Sequence, residues 1–295
     1  MNNTDKLIAL GVVFAWGINF MFMKFALDDI SPAVLGWLRF TFLLLPALFL
    51  LKKPPVAWRW LILYGLTMSF GQFGFMFLAL SMGVPTGLSA LVHQSQVFFT
   101  VMLVVAVFGE RIRANHLAGM LIAGVGLFLI GVGQYQGGMG LTGLFVVMAG
   151  SLSWAVGNLV IKKISTTQTI INPVSLVVWG NVSTWVAFGL LAFGLYGADG
   201  MLAQVVGLQP LGWLSVLYLA YVASLLGYAG WGDLLARYPA SQVTPLALLV
   251  PVVALLTGYV MLGERLGTWH WVGIVMVMAG LMAHVFGLRV FGIKK

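Results

Sequence analysis

Two stretches of this chain, 154 residues apart, are versions of one another. GVPTGLSALVHQSQVFFTVMLVVAVFGER (83–111) and RYPASQVTPLALLVPVVALLTGYVMLGER (237–265) align without a gap. Pro85 meets Pro239, and Gly109-Glu110-Arg111 meets Gly263-Glu264-Arg265. The same offset pairs His116 with His270, Gly119 with Gly273, Gly126-Leu127 with Gly280-Leu281 and, upstream, Tyr64 with Tyr218. Nearer the N-terminus the offset changes: Ala15-Trp16 and Lys24 match Ser153-Trp154 and Lys162 at 138, and Ser31-Pro32 matches Asn172-Pro173 at 141. Between residues 7 and 288 the chain reads as ten apolar stretches, five per copy. A unit with an odd number of membrane crossings sends its copy into the membrane from the opposite side. The expectation is an all-α membrane protein of ten transmembrane helices in two inverted five-helix repeats, residues 1–138 and 139–295. Secondary transporters that rock around a midplane site are built in this way.

Composition supports the membrane reading. The chain is 61% hydrophobic and only 7% charged, with a mean hydropathy of +1.04. A soluble chain of 295 residues cannot hide that much apolar surface. The formal charge of +8 does not indicate nucleic acid, because the basic residues are scattered between spans and not clustered on one soluble face. No cysteine is present, which excludes disulfides and thiolate metal sites. Lys6 precedes the first apolar run, and Trp16, Asn19 and Phe20 stand where a small-residue cleavage site would fall. The run reads as a retained first span.

The predicted spans are 5–25, 32–51, 59–80, 85–108, 115–133, 140–161, 172–195, 211–232, 240–262 and 268–288. Each can cross roughly 30 Å of hydrocarbon at about 1.5 Å per residue. Breakers separate them: Ser31-Pro32, Pro54-Pro55, Pro85, Gly137-Gly138, Asn172-Pro173, Pro210 and Pro239. The longest connection falls near Gly197–Pro210. With the N-terminus in the cytoplasm, twelve Lys and Arg lie on that side: Lys6, Lys52, Lys53, Arg59, Arg111, Arg113, Lys162, Lys163, Arg237, Arg289, Lys294 and Lys295. Lys24 and Arg265 lie opposite, and Arg39 lies inside span two. That bias puts both termini in the cytoplasm.

No phosphate-binding loop, metal-ligand cluster, GxSxG or HExxH occurs, and seven acidic residues leave no paired carboxylates at depth. The expectation is conduction or transport without catalysis, cofactor or metal.

Polar residues inside spans face a bundle interior or a cavity, since lipid penalises them. Ser89, His93, Gln96 and Thr100 recur at spacings of four, three and four in span four, which puts them on one helical stripe. Gln94 and Ser95 widen it. His93 lies near the midplane, about 12 Å past Pro85 at the helical rise. The stripe reads as the wall of a substrate cavity, with His93 as hydrogen-bonding ligand or proton carrier. Interhelical hydrogen bonding is the alternative. Trp16 and Asn19 in span one have counterparts in Trp154 and Asn158 of span six, the Asn displaced by one position; these suit a solute pocket or packing near the repeat axis. Ser69 and Gln72 in span three, and Asn181, Ser183 and Thr184 in span seven, add depth polarity that serves either a site or helix contact. Arg39 either attracts a carboxylate or other anion, or is tied structurally to loop carbonyls, or snorkels outward. Asp233 and Arg237, four residues apart, read as an interfacial pair. Glu110-Arg111 and Glu264-Arg265 read as corner elements that end spans four and nine. Pro245 and Pro251 break span nine, and span four has no matching prolines, so the halves are expected to move unequally. Gly119, Gly124, Gly126, Gly273 and Gly280 suit close helix packing or a homodimer.

WGINFMFMK at 16–24, LRF at 38–40, FGER at 108–111 and LGER at 262–265 together resemble the EamA family of the drug/metabolite transporter superfamily. The resemblance covers essentially the whole chain. YGLTMSFGQFGFMFLAL (64–80) followed by GLSALVHQSQVFFTVML (87–103) is similar to family members that export O-acetylserine and cysteine. The resemblance implies a multi-pass carrier of the bacterial inner membrane. It also implies alternating access around a central cavity lined by spans one to four and six to nine, with five and ten peripheral. Trp16, Asn19, Arg39, Ser69, Gln72, Ser89, His93, Gln96, Trp154, Asn158 and Asn181 are the candidate cavity residues, chosen by depth and face. A small amino-acid metabolite is the expected solute, with protons as a candidate coupling ion and lipid as the surrounding partner. The alternatives are an exporter of aromatic amino acids or lipophilic drugs, for which Trp16, Phe20, Phe73, Phe77 and Trp154 would form the lining, a channel-like pore, and a non-transporting membrane scaffold.

Overall fold

The structure, a computed structural model, describes residues 1–109, 114–136, 141–167, 172–238 and 240–286. These are helical, with no strand among the described residues. Ten helical segments follow one another: α1 (Asn3–Asp29), α2 (Pro32–Leu50), α3 (Trp58–Ser81), α4 (Thr86–Phe108), α5 (Ala114–Gln136), α6 (Thr142–Thr167), α7 (Pro173–Val206), α8 (210–237), α9 (240–261) and α10 (Thr268–Phe286). Among the described residues nine are long and apolar enough to cross a membrane, and α9 contributes the shorter apolar helix Pro245–Met261.

The breakers in the sequence start helices. Asn172 accepts the amide protons of Val174 (2.9 Å) and Ser175 (3.3 Å) on its Oδ1, and Pro173 occupies the first turn. This satisfies two of the amides that have no carbonyl partner at a helix start. Pro32 and Pro210 likewise occupy the first turns of α2 and α8, there without a side-chain cap. The Gly137-Gly138 and Pro239 breaks lie outside the described residues.

The chain departs from expectation after residue 195. The long connection expected near Gly197–Pro210 is mostly helix. Gly197 turns the backbone through φ 65° and ψ 178°, after which α7 resumes to Val206. Its Gln204 side chain accepts the amide proton of Ser31 at 2.9 Å and so fastens this segment to the α1–α2 turn. A glycine permits the positive φ, which an L side chain resists.

The packing has a regular scheme. α2 lies on α7, α4 on α9 and α5 on α10; α1 packs on α8 and α9, while α6 packs on α3 and α4. Exchanging each helix for the one five places away leaves this scheme unchanged. Two irregularities recur under the same exchange. α3 widens into a π-helix over Gly65–Gly71 and α8 over Tyr218–Leu226, and these coincide at the 154-residue offset. α4 tightens at Gln94-Ser95, where amides reach carbonyls three residues back, and α9 runs through a 3₁₀ turn over Thr244–Leu248. The prolines of α9 therefore do not set it apart: α4 is interrupted without any proline. Glu264 in the α9–α10 corner caps the start of α4, accepting the Thr86 amide proton at 2.6 Å and that of Gly87 at 3.3 Å. A carboxylate suits the positive end of a helix. Glu110 and Arg111, its counterparts in the first copy, lie outside the described residues.

α5 and α10 pack chiefly on each other, and two glycine pairs bring their backbones together. A Cβ on Gly119 would lie 2.7 Å from the Gly280 carbonyl oxygen, and one on Gly280 would lie 2.6 Å from that of Gly119. Gly126 and Gly273 repeat this at 2.7 and 2.6 Å. In lipid, such close packing replaces the hydrophobic drive that holds soluble helices together. Gly126→Ala is expected to lower the melting temperature of the detergent-solubilised protein by several degrees, since overpacking costs about 1–3 kcal/mol. Gly124→Ala, where nothing lies within 4 Å, is the matched control and is expected to lose none.

Candidate functional site

The polar stripe of α4 meets α3 and α6. His93 ends the first part of α4 and is held from two sides. Its Nδ1 lies 3.2 Å from Ser151 Oγ on α6, and its Nε2 lies 3.3 Å from Gln72 Nε2 on α3. Ser151 donates its hydroxyl proton to the Val147 carbonyl at 3.0 Å, so towards the ring it acts as acceptor. That arrangement is matched by the tautomer in which Nδ1 carries the proton and Nε2 accepts from the Gln72 amide. A second ring proton on Nε2 would require Gln72 to turn its oxygen towards the ring. The Trp154 ring lies 5.0 Å from that of His93. One turn further along α4, Asn158 Nδ2 donates to Thr100 Oγ1 (3.0 Å) and sits 3.4 Å from Gln96 Oε1. The stripe thus points its His93, Gln96 and Thr100 at α6. Ser89 is fully buried, and its Oγ has no protein partner.

A second polar centre lies where α2 meets the π-helix of α8. Arg39 is only 2% exposed. Its Nη2 donates to Ser224 Oγ at 3.0 Å, and Ser224 passes its own proton to the Leu219 carbonyl at 2.8 Å. The guanidinium carbon stands 4.0 Å from the centre of the Phe73 ring. Trp16 binds the same stretch of α8, donating its indole N–H to the Ala223 carbonyl at 2.9 Å and packing against Tyr228 and Trp231. Tyr218 closes the contact by donating to the Ala15 carbonyl at 2.9 Å. Asn19 is buried; its Nδ2 faces Met23 Sδ at 3.8 Å and its Oδ1 has no protein partner. Phe73 and Gln72, neighbours on α3, link this centre to the first.

Other candidates are engaged locally. Asn181 donates to the Val177 carbonyl at 2.8 Å and faces Thr184 Oγ1 at 3.0 Å; Thr184 also reaches the Gly65 carbonyl at 2.8 Å. This set ties α7 to the π-helix of α3. Ser69 is buried within that π-helix. Asp233 does pair with Arg237 as expected, but Arg237 also holds Asp5 on α1 at 2.8 Å, and Asp5 accepts the Tyr238 hydroxyl at 2.6 Å. No cluster of metal-binding side chains occurs among the described residues.

Ser151, Ser224 and Tyr228 are additions to the residues expected from sequence. A spacing signal existed for each. Ser151, Trp154 and Asn158 recur at three and four on α6, and Tyr221, Ser224 and Tyr228 do so on α8. Two surface grooves, of about 400 and 430 Å³, lie elsewhere, between α3 and α7, and their lining is apolar apart from a few polar atoms. They sit on the flank of the bundle that Leu190 and Leu78 share with lipid, away from both polar centres.

Comparison with known proteins agrees with this architecture. The EamA-like transporter family model matches residues 6–132 and 141–286, one copy in each half. A protein of Salmonella typhimurium named probable amino-acid metabolite efflux pump is 42% identical over 291 residues, covering 98% of this chain and 97% of that one. Its namesake in Escherichia coli is 40% identical over 290 residues, with the same coverage. A crystal structure 19% identical in sequence superposes with a TM-score of 0.66 over 100% of this chain and 99% of that one, which shows a shared fold. The chain is a multi-pass membrane protein of two repeats and belongs to the EamA-like transporter family.

Proposed function

We propose that this protein is an inner-membrane exporter of small amino-acid metabolites of the cysteine and O-acetylserine kind, working by alternating access. The observation that carries the reading is the character of the buried polar groups. Gln72, His93 and Ser151, and one turn further along Gln96, Thr100 and Asn158, form two uncharged hydrogen-bonded sets at the α3–α4–α6 junction. Such a lining suits a small solute of no net charge and would bind a permanently charged one poorly. The names of the relatives, probable amino-acid metabolite efflux pumps, support export.

The same reading takes residues 1–138 and 139–295 as inverted copies, with both termini cytoplasmic. The twelve-to-two distribution of Lys and Arg and the exchange-invariant packing support it. Arg39, Asn19, Trp16, Trp154, Ser69, Ser89 and Asn181 belong to the solute path or its supports. His93 is the candidate proton carrier, because its Nε2 faces an amide that can present either oxygen or nitrogen. A second reading, export of aromatic amino acids, is favoured by the Trp16–Tyr228–Trp231 cluster. Competition between bulky and small amino acids separates the two.

Proteoliposomes loaded with labelled O-acetylserine or cysteine test the proposal. Saturable release, accelerated by an imposed pH gradient and weakened by His93→Ala, is expected. Release no faster than from protein-free liposomes, with a preparation shown to be folded, would overturn the substrate assignment. Unitary currents without saturation would indicate a pore. For the His93 anchor, Ser151→Ala leaves a buried N–H without an acceptor and is expected to cost about 1–3 kcal/mol. A double-mutant cycle with His93→Ala should return a coupling above about 0.5 kcal/mol; additive effects would show that the two side chains do not act together.

A further inference from the structure

We propose that Arg39 is the docking point for the carboxylate of the transported solute, so that the protein selects molecules with a free carboxylate over their esters and over the corresponding amines. The inference deepens the transport reading above and rests on it.

Arg39 is 2% exposed in the middle of the bundle, and a buried cation is costly unless an anion or a full set of acceptors accompanies it. Among the described residues no carboxylate does so. Asp28 pairs with Lys24. Asp29 accepts the Gln209 amide proton at 3.1 Å. Asp5 and Asp233 hold Arg237, and Glu264 caps α4. Asp199 is exposed beyond the Gly197 kink. What surrounds Arg39 is uncharged: it donates to the Ser224 hydroxyl, lies over the Phe73 ring and near that of Phe40, and has Tyr228 close by.

The geometry of the guanidinium sharpens the inference. It carries five N–H donors arranged as two forked edges, and Nη2 belongs to both. Ser224 takes one Nη2 hydrogen, while Nε and Nη1 have no protein partner. Whichever Nη2 hydrogen Ser224 engages, the other edge keeps two parallel donors. Two parallel N–H groups match the two oxygens of a carboxylate, a fit that an ester or an amine lacks. Phe73 covers one face of the guanidinium, which steers an incoming anion to the edge. Two buried acceptors without a donor lie on the neighbouring helices: Gln72 Oε1, next to Phe73 on α3, and Asn19 Oδ1, one turn beyond Trp16 on α1. A guanidinium edge with donors to spare and amide oxygens without a donor complement the two ends of a zwitterion.

The test uses the full-length protein in two formats. In proteoliposomes, uptake of labelled O-acetylserine by counterflow is competed with L-serine, serine methyl ester and ethanolamine at equal concentrations. In detergent, the same three compounds are assayed for their effect on the melting temperature. The free acid is expected to compete at least tenfold better than the ester or the amine, and to be the one that raises the melting temperature. Arg39→Gln should abolish the distinction between acid and ester. Ser224→Ala, a smaller change, should weaken competition by the acid several-fold and leave the ester unaffected. The proposal is overturned if the ester competes as well as the acid in the unmodified protein. It is also overturned if the acid-to-ester ratio survives in folded Arg39→Gln or, should that variant not fold, in Ser224→Ala. If no O-acetylserine moves at all, the substrate assignment fails separately. The melting experiment then decides on Arg39 alone: stabilisation by acids that is lost in the variants upholds it, and its absence from the unmodified protein refutes it.

Discussion

Hydrocarbon offers no water to take up an unpaired backbone group, and this constraint organises the interior of the protein. Regular helices meet it unaided; these helices are not all regular. The π-helices of α3 and α8 and the tightened turns of α4 and α9 leave carbonyls that need donors from elsewhere. Side chains of other helices supply several of them. Trp16 donates to Ala223, Ser153 to Thr67 and Thr184 to Gly65, at 2.8–2.9 Å. Each bond runs between helices, so each irregularity in a backbone becomes a specified contact with a neighbour. π segments are uncommon and concentrate at functional sites; here both lie beside the polar centres.

The same logic explains why the two polar centres differ. At the α3–α4–α6 junction the groups satisfy one another: Gln72, His93 and Ser151 form a chain that ends on a backbone carbonyl. The buried oxygens of α3 and α4 left without a protein partner are Gln72 Oε1 and the Thr86, Ser89 and Ser95 hydroxyls, all uncharged. At Arg39 the balance is reversed, with donors in excess and one hydroxyl to receive them. A self-satisfied network holds helices in register, whereas an unbalanced one has binding capacity to spare. In the proposed mechanism the His93 network would therefore position helices and handle protons, and the Arg39 centre would meet the charged group of the solute.

The sequence made the architecture legible because its signals were of long range. Ten apolar runs, the proline and Asn-Pro breakers and the repeat offsets located the ten helices. Pairings across α4 and α6 were partly legible, since the His93–Gln96–Thr100 spacing and the Trp154–Asn158 spacing each define a face. What stayed hidden depends on local geometry. Nothing in GLTMSFG or YLAYVASLL marks a π-helix, because the widening is imposed by the packing around it. The interruption of α4 carries no proline. The helix beyond Gly197 was hidden because a glycine that usually ends a helix here only bends it. The spacing of Tyr221, Ser224 and Tyr228 marked a face of α8, but that the Ser224 hydroxyl meets Arg39 on α2 depends on the fold.

The repeat is also informative where its two copies disagree. At the offsets of 138 and 154 residues, Asp5 corresponds to Gly143 and Tyr238 to Val84. Both pairs are in contact. Asp5 accepts the Tyr238 hydroxyl at 2.6 Å and holds Arg237, while Gly143 packs against Val84 so closely that any Cβ would collide with it. One place in the fold is therefore filled by an ionic, hydrogen-bonded joint between α1 and α8 and, in the other copy, by an apolar contact between α6 and the turn after α3. In a carrier whose halves rock, parting the first means separating charges, and it is eased where water can enter. Parting the second means losing only van der Waals contact, which lipid or solute can replace. The two sides of such a carrier would open at different cost, the difference lying in these two residue pairs.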